Sequence, residues 1–281
     1  MKKLKVLPLI LCLCLVFVGC DTTPRRQPLE GYNNTVTMLN VGQASSTLIE
    51  SDGQFCLIDA GKSGGQMDIS TYLYERGVER IDLLVLTHFH YDHTSQALDV
   101  IRNFDIGTVL IPTLTAENTP DSYFYESLLA DAENGYYTLD YAHKGAQYTI
   151  GSGVITVVDD TYNSDNVNNT STVTLFTLDD FVYVNMGDTE TDRDGYLLES
   201  LPKDIDFLTA GHHGSKDATS ELLLDKLNPR LVGISCGKGN EYNHPHKQML
   251  QRLADRNIPY VITHEYGNIV YSADTHGLKS E

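Results

Sequence analysis

Thr87-His88-Phe89-His90-Tyr91-Asp92-His93 follows the apolar run Ile81-Asp82-Leu83-Leu84-Val85-Leu86, and this junction decides the reading of the chain. Four potential metal ligands fall within six positions. A strand that ended at the cluster would send His88 and His90 to one side and Phe89 and Tyr91 to the other. Asp92 and His93, on the next turn, would then face a second point. Neutral imidazole and carboxylate suit zinc, manganese or iron. Two such ions roughly 3.5–4 Å apart can activate a water and hold the oxyanion it produces. The bland alternative is a solvated polar loop, but three histidines and an aspartate would be an odd loop directly after a buried-looking strand.

Upstream of the cluster, 35–41 reads as a strand, 46–50 and 55–59 as a hairpin around Ser51-Asp52-Gly53, and 68–77 as a helix. With the strand at 81–87 the order is β-β-β-α-β. Downstream come a helix to Asn103, a strand at 107–111 and a helix at 122–132. The second half repeats the theme with strands at 154–158, 172–176, 181–185, 204–209, 230–235, 260–263 and 268–271. Helices near 193–200, 220–227 and 247–257 are interspersed among them. Two packed sheets with helices on their outer faces account for both halves in one domain, 35–275. Residues 114–150 differ in kind, with six tyrosines and six acids against one base, Lys144. They are expected either to form a rim over the site or to be an ordinary solvated helix and loop.

Residues 1–19 read as a secretory leader, with Lys2, Lys3 and Lys5 before an apolar run from Leu7 to Val18. Phe17-Val18-Gly19-Cys20 has the form of a bacterial lipobox, so Cys20 is expected to be the lipidated first residue of the mature chain. Residues 20–34 would be its tether, and the protein would sit outside a bacterial membrane, held by the lipid. An uncleaved anchor is the alternative, but the apolar run is short of the ~20 residues a spanning helix needs. The formal charge of −18 counts against a broad nucleic-acid-binding face, though cations at a metal site would reverse the sign locally. Cys56 and Cys236 read as small buried hydrophobes rather than a disulfide. Oligomeric state is not legible.

Further candidates lie at other strand ends. Asp188 follows Met186-Gly187 after an apolar strand, where either metal approach or a turn would use it. His212-His213-Gly214 ends another strand, and the glycine permits close backbone approach. His244 and His246 flank Pro245. Asp59 could fix a histidine tautomer from a second layer, or be a turn residue.

Together, Leu57-Ile58-Asp59-Ala60-Gly61, the cluster at 87–93, Met186-Gly187-Asp188 and Gly211 to Ser215 resemble the metallo-β-lactamase superfamily. Asn40-Val41-Gly42-Gln43, His212-His213-Gly214-Ser215 and Asn243-His244-Pro245 narrow the resemblance to the hydrolase domain of ComEC-type competence proteins and related surface choline-phosphate esterases. It covers roughly residues 35–272. The resemblance implies a four-layer αββα sandwich with two divalent metal ions at one sheet edge. His88 and His90 would hold one ion, Asp92 and His93 the other, Asp188 would bridge, and His213 would complete the second. His212 would then contact substrate. The further histidine of many members has no counterpart near Asn168-Asn169-Thr170-Ser171, and His143 lacks the flanking motif. The first ion is therefore expected to be weakly held or completed by water. Asn40-Val41-Gly42-Gln43-Ala44-Ser45 also lacks two carboxylates usual in the competence branch, which bears on substrate more than on metal. Competence proteins also carry a membrane channel and a nucleic-acid-binding domain, neither of which is read in this sequence, so a DNA-uptake role does not follow from the resemblance.

These observations imply a lipid-anchored dimetal hydrolase acting on a phosphodiester through a metal-bridging hydroxide. Asp92 would orient the nucleophile, and His212 and His244 would stabilise developing charge. Amide or ester hydrolysis, including lactams, is the alternative chemistry, and a non-catalytic metal-binding lipoprotein the alternative class. A cage of tyrosines such as Tyr136 and Tyr137 around a choline head group is a further expectation.

Overall fold

Alternation along the strands sets the layers. Phe181 and Tyr183 point one way and Val182 and Val184 the other, as do Cys56 and Ile58 against Phe55 and Leu57. The computed structural model describes residues 33–114, 122–159 and 166–279.

In chain order the first sheet receives β1 (Asn34–Met38), β2 (Thr47–Ser51), β3 (Gln54–Ile58), β4 (Arg80–Val85), β5 (Asp105–Ile111) and β6 (Thr138–Tyr141). The second receives β7 (Gln147–Ile150), β8 (Gly153–Asp159), β9 (Val173–Leu178), β10 (Phe181–Asn185), β11 (Phe207–Thr209), β12 (Leu231–Ile234) and β13 (Tyr260–Ile262). The chain then returns to the first sheet with β14 (Ile269–Ser272) and β15 (Gly277–Lys279). The orders are β15-β14-β1-β2-β3-β4-β5-β6 and β13-β12-β11-β10-β9-β8-β7. Both sheets mix parallel and antiparallel pairs: β3, β4, β5 and β6 run parallel, as do β10 to β13, and the rest are antiparallel.

Three apolar layers hold the stack together. Between the sheets, Val36, Ile49, Leu83, Val85 and Leu110 meet Val157, Phe176, Phe181, Tyr183 and Phe207. Outside the first sheet, helices α1 (Ile69–Glu75), α3 (Ala97–Asn103) and α4 (Ser122–Glu133) bury Ile69, Leu73, Val100 and Leu128 against Leu57, Leu84 and Val109. The short α2 (Tyr91–Thr94) lies between α1 and α3 in sequence. Outside the second sheet, α5 (Thr191–Leu197), α6 (Glu221–Leu227) and α7 (Lys247–Asp255) cover Val184, Leu208, Val232 and Ile234 with Leu197, Leu224 and Leu253. Each face is closed by its own helices, which makes the four-layer αββα sandwich.

Local sequence explains several boundaries. Asp68 caps α1 by accepting from the Thr71 amide at 2.7 Å, and Ser220 caps α6 through Leu223 at 3.2 Å. Asn228, in the left-handed region at φ 40°, ends α6.

The sandwich differs from the sequence expectation in three places. Its sheets reach from Asn34 to Lys279 rather than 35–275, because β15 adds to β14 and Asn34 pairs with Ser51. Residues 114–150 are largely part of the sandwich: α4 packs on α3, and β6 joins β5. The strand expected over 81–87 runs from Arg80 to Val85, two residues short of the histidine cluster's start. Cys56 and Cys236 are free and buried, as expected of small hydrophobes, and burial raises both thiols' pKa, that of Cys236 to about 12. The leader, the lipobox with Cys20, and the tether up to residue 32 lie outside the described residues, and the tether's last residue, Asn34, is already part of β1. Among the described residues no helix is long and apolar enough to cross a membrane.

Candidate metal centre

Past Val85 the chain leaves the sheet, and Asp59 organises the loop that carries the histidine cluster. Asp59 is fully buried, with φ 59° in the left-handed region, at the turn after β3. Its Oδ1 accepts from the Thr87 amide at 2.8 Å, and its Oδ2 takes the Thr87 hydroxyl at 2.9 Å. Oδ2 also lies 2.6 Å from His93 Nδ1, which fixes the ring with Nε2 pointing away from Asp59. Main-chain bonds pin the same loop from three sides: Ala60 N to His93 O at 2.7 Å, Ser45 N to Asp92 O at 3.1 Å, and Thr172 N to Thr87 O at 2.7 Å.

Two groups of potential ligands result, one of His88, His90 and Asp188, the other of Asp92, His93 and His213. His88 Nε2 lies 3.0 Å from His90 Nδ1 and 3.8 Å from Asp188 Oδ2. In the second group His213 Nε2 is 3.2 Å from Asp92 Oδ2, and His93 Nε2 is 3.3 Å from Asp188 Oδ1. Asp188 Oδ2 is also 3.6 Å from His213 Nε2, so this one carboxylate faces both groups.

Asp188 and His213 arrive from the second sheet. Gly187, at φ 54°, packs so tightly that a Cβ would stand 2.8 Å from Ser171 Cβ, and the Ser171 hydroxyl accepts from the Asp188 amide at 3.0 Å. His213 sits at φ 55° after His212 at φ 45°, two consecutive left-handed residues of a kind found where surrounding structure enforces them. Its Nδ1 donates to Ser235 O at 2.9 Å, which turns Nε2 inward.

The residues fit a metal pair. The Nε2 atoms of His93 and His213 are buried and make no hydrogen bond, although carboxylate oxygens lie 3.3 and 3.2 Å away. In each ring the other nitrogen is engaged, leaving a lone pair for a cation.

Charge separates the two groups. Burial and the neighbouring His93 charge lower the His88 pKa well below its ordinary value, and burial lowers that of His90. Burial also opposes protonation of His93 and His213. Asp188 and Asp59 outweigh it for the first, raising it well above the usual histidine range, and Asp188 and Asp92 outweigh it for the second. Both carboxylates are themselves held low against burial: Asp92 by His213 and His93, Asp188 by His93 and His213. Protons thus compete with a cation for the second group more than for the first. Raised values mean protons bind more tightly and must leave on loading, so affinity at the second group should fall as pH falls. We expect metal titrations at about pH 8 and about pH 6 to show a steeper loss for the more proton-coupled ion, roughly tenfold per pH unit for each proton released. Equal pH slopes for both ions would contradict this ordering.

Around the ligands lies a cavity of about 320 Å³ lined by Gln43, His90, Tyr91, Asp92, Asn168, Asp188, His212, His213, Tyr242 and His244. A second cavity of about 370 Å³ shares Gln43, Tyr91, Asp92 and Tyr242 with it and is also lined by Lys62 and Asn240. A larger groove, about 760 Å³ between α1 and α3, has no histidine in its lining. His212 Nδ1 lies 3.2 Å from Glu190 Oε1, and its Nε2 3.9 Å from Asp188 Oδ2. Gln43 is oriented by accepting from Gly237 N at 3.2 Å, and its amide lies 3.4 Å from His244 Nδ1. Burial and the neighbouring histidines 213, 212 and 246 lower the His244 pKa to about 4, so at neutral pH it acts as a neutral imidazole.

All of His88, His90, Asp92, His93, Asp188, His212, His213 and His244 therefore meet at one place, with Asp59 behind His93. Glu190, Asn168 and Ser171 belong to the same surroundings and were not anticipated in these roles. The tyrosine cage does not form at this cavity: Tyr137 is buried and donates to Leu128 O at 2.8 Å, and Tyr136 lines a separate groove with Ile101 and Asp131. His143 is exposed and does not line the site cavity.

An αββα sandwich carrying paired His/Asp groups at its sheet ends defines a class, the metal-dependent hydrolases of this fold. The model of the family described as Metallo-beta-lactamase superfamily matches residues 39–235, and the chain belongs to that superfamily. It is 27% identical over 264 residues to "ComE operon protein 3" of Bacillus subtilis, covering 87% of this chain and 34% of that protein. It is 30% identical over 229 residues to "Recombination protein 2" of Haemophilus influenzae, covering 78% of this chain and 26% of the relative. The chain thus spans about a third or less of the length of these relatives. Among solved structures, the metallo-beta-lactamase fold protein YhfI from Bacillus subtilis superposes with a TM-score of 0.57 at 12% identity, covering 85% of this chain and all of that one.

Proposed function

We propose that the protein is a two-metal phosphodiesterase. The observation that carries this reading is the polarity of the cavity: among the described residues no aliphatic side chain lines it, and Tyr91 and Tyr242 are its only aromatic ones apart from histidines. A lactam or an apolar ester would find little apolar surface there beyond the rings of Tyr91 and Tyr242, whereas a compact anionic group would meet N–H donors on Gln43, His212 and His244. Bound divalent cations would supply Lewis acidity and lower the pKa of water to give a nucleophile at neutral pH.

The protein's own residues do the rest. His88, His90, Asp92, His93, Asp188 and His213 hold the cations, and Asp59 keeps His93 in the tautomer that offers Nε2. Asp92, at the cavity wall, accepts a hydrogen bond from the attacking water and orients it. His212, steadied by Glu190, and the neutral His244 donate to the phosphoryl oxygens as charge builds. The cleft toward Lys62 leaves room for a substituent beyond the phosphate, with Tyr91 and Tyr242 exposed at its mouth. A lipid anchor at Cys20 would place this chemistry outside the membrane.

Metal-loaded protein is expected to hydrolyse bis-p-nitrophenyl phosphate and to leave nitrocefin intact. Turnover of nitrocefin but of no diester would overturn the assignment. A panel of single-stranded DNA, RNA and phosphocholine esters then ranks the natural substituents.

A further inference from the structure

The two groups of ligands are unequal. The second has three of its own, Asp92, His93 and His213, besides the shared Asp188, whereas the first has only His88 and His90 besides Asp188. The turn Val167–Thr170 is packed against the poorer group. Ser171 Oγ, which closes this turn on Asn168 O at 2.7 Å, lies 3.3 Å from His88 Nδ1 and accepts from the Asp188 amide.

From this turn Asn168 projects into the lining of the metal cavity beside His90 and Asp188, and only 8% of its surface is exposed. Its amide orientation is set by chemistry. Nδ2 stands 2.8 Å from the Glu190 carboxylate, which can only accept, so the nitrogen is on that side and Oδ1 on the other. Oδ1 is buried and has no hydrogen-bond donor. A buried amide oxygen left without a partner is costly, and an arrangement that keeps it so calls for a partner outside the protein. Glu190 is itself fixed by Asn166 Nδ2 at 2.9 Å, and its amide donates to Asn169 Oδ1 at 2.8 Å. The side chain is thus positioned before any ion arrives.

We infer that Asn168 Oδ1 is a ligand of the first metal ion, supplying the donor that the missing histidine would otherwise give. The inference rests on the two-metal phosphodiesterase reading and deepens it. A neutral amide oxygen is harder than imidazole, so a site of two histidines, a carboxylate and an amide favours manganese or iron over zinc more than a three-histidine site would.

The test reads metal rather than turnover. The full chain, stripped with a chelator, is titrated with Mn²⁺ or Zn²⁺ alone, and bound metal is counted after desalting. Wild type should hold two ions. Asn168→Ala should hold one firmly, with first-site affinity lowered about 100-fold, and Asn168→His should regain the second ion while shifting the Zn²⁺-to-Mn²⁺ preference about tenfold toward zinc. If Asn168→Ala keeps both ions within about threefold of wild-type affinity, or if Asn168→His leaves the metal preference unchanged, the assignment is overturned while the two-metal reading survives. A wild-type protein that takes up one ion or none overturns both. The histidine variant and the thermal unfolding of each metal-free protein separate ligand loss from misfolding.

Discussion

Asp188→Asn should abolish diester turnover, lowering kcat/KM on the order of a thousandfold, about 4 kcal/mol of transition-state stabilisation. Asp188 has oxygens that face both ligand groups, 3.3 Å from His93, 3.6 Å from His213 and 3.8 Å from His88. Asparagine preserves the volume, but it removes the negative charge and turns an N–H₂ toward at least one cation. The backbone bond from the Asp188 amide to Ser171 Oγ does not depend on the side chain, so the fold should persist. Steady-state assays and metal counts on the same preparation provide the check. A variant that retains two ions and turns over within tenfold of wild type would remove Asp188 from the centre of the site.

Arg193→Met should be the most costly single change to stability outside the apolar core, at about 3–5 kcal/mol. Arg193 is almost wholly buried, and its Nη1 donates to Asn169 O at 2.7 Å and Ser171 O at 2.5 Å while Nη2 lies 3.6 Å from Asp159. Methionine fills similar space but leaves two buried carbonyls without these charge-assisted donors. Because those carbonyls belong to the turn that presents Asn168 and Ser171, metal affinity at the first group should fall as well. Chemical denaturation of metal-free protein gives the first effect and metal titration the second. A destabilisation below about 1 kcal/mol would show that the turn holds itself.

Much of the site was legible because its ligands follow strands and are of unusual type. The cluster at 88–93, Asp188 and His213 all stand where an apolar run stops, and a histidine or aspartate at such a point is visible in one dimension. Asp59 was legible as a candidate for the same reason. Glu190 and Asn168 were not, since each has an ordinary local role, Glu190 before α5 and Asn168 in a short turn, and their importance arises only where the two loops meet. Neither Arg193, read simply as the start of a helix, nor Ser171 carries any local signal of burial at the site. In the fold, the long apolar strands and the layer order were readable. The edges were not: β6, β7 and β15 are short and partly exposed, so they lack an apolar run, and the pairing of β1 with β14 depends on chain closure rather than on local pattern.

The closure by β14 bears on when the centre can come into being. Residues 34–38 pair with β14, more than 200 residues later, and the six candidate ligands span from His88 to His213. Such non-local contacts form late, after the entropy of closing long loops has been met. A nascent chain would therefore expose the histidine cluster before Asp188 and His213 exist to complete it. Loading of a two-cation centre would then come late in folding, once both sheets have closed.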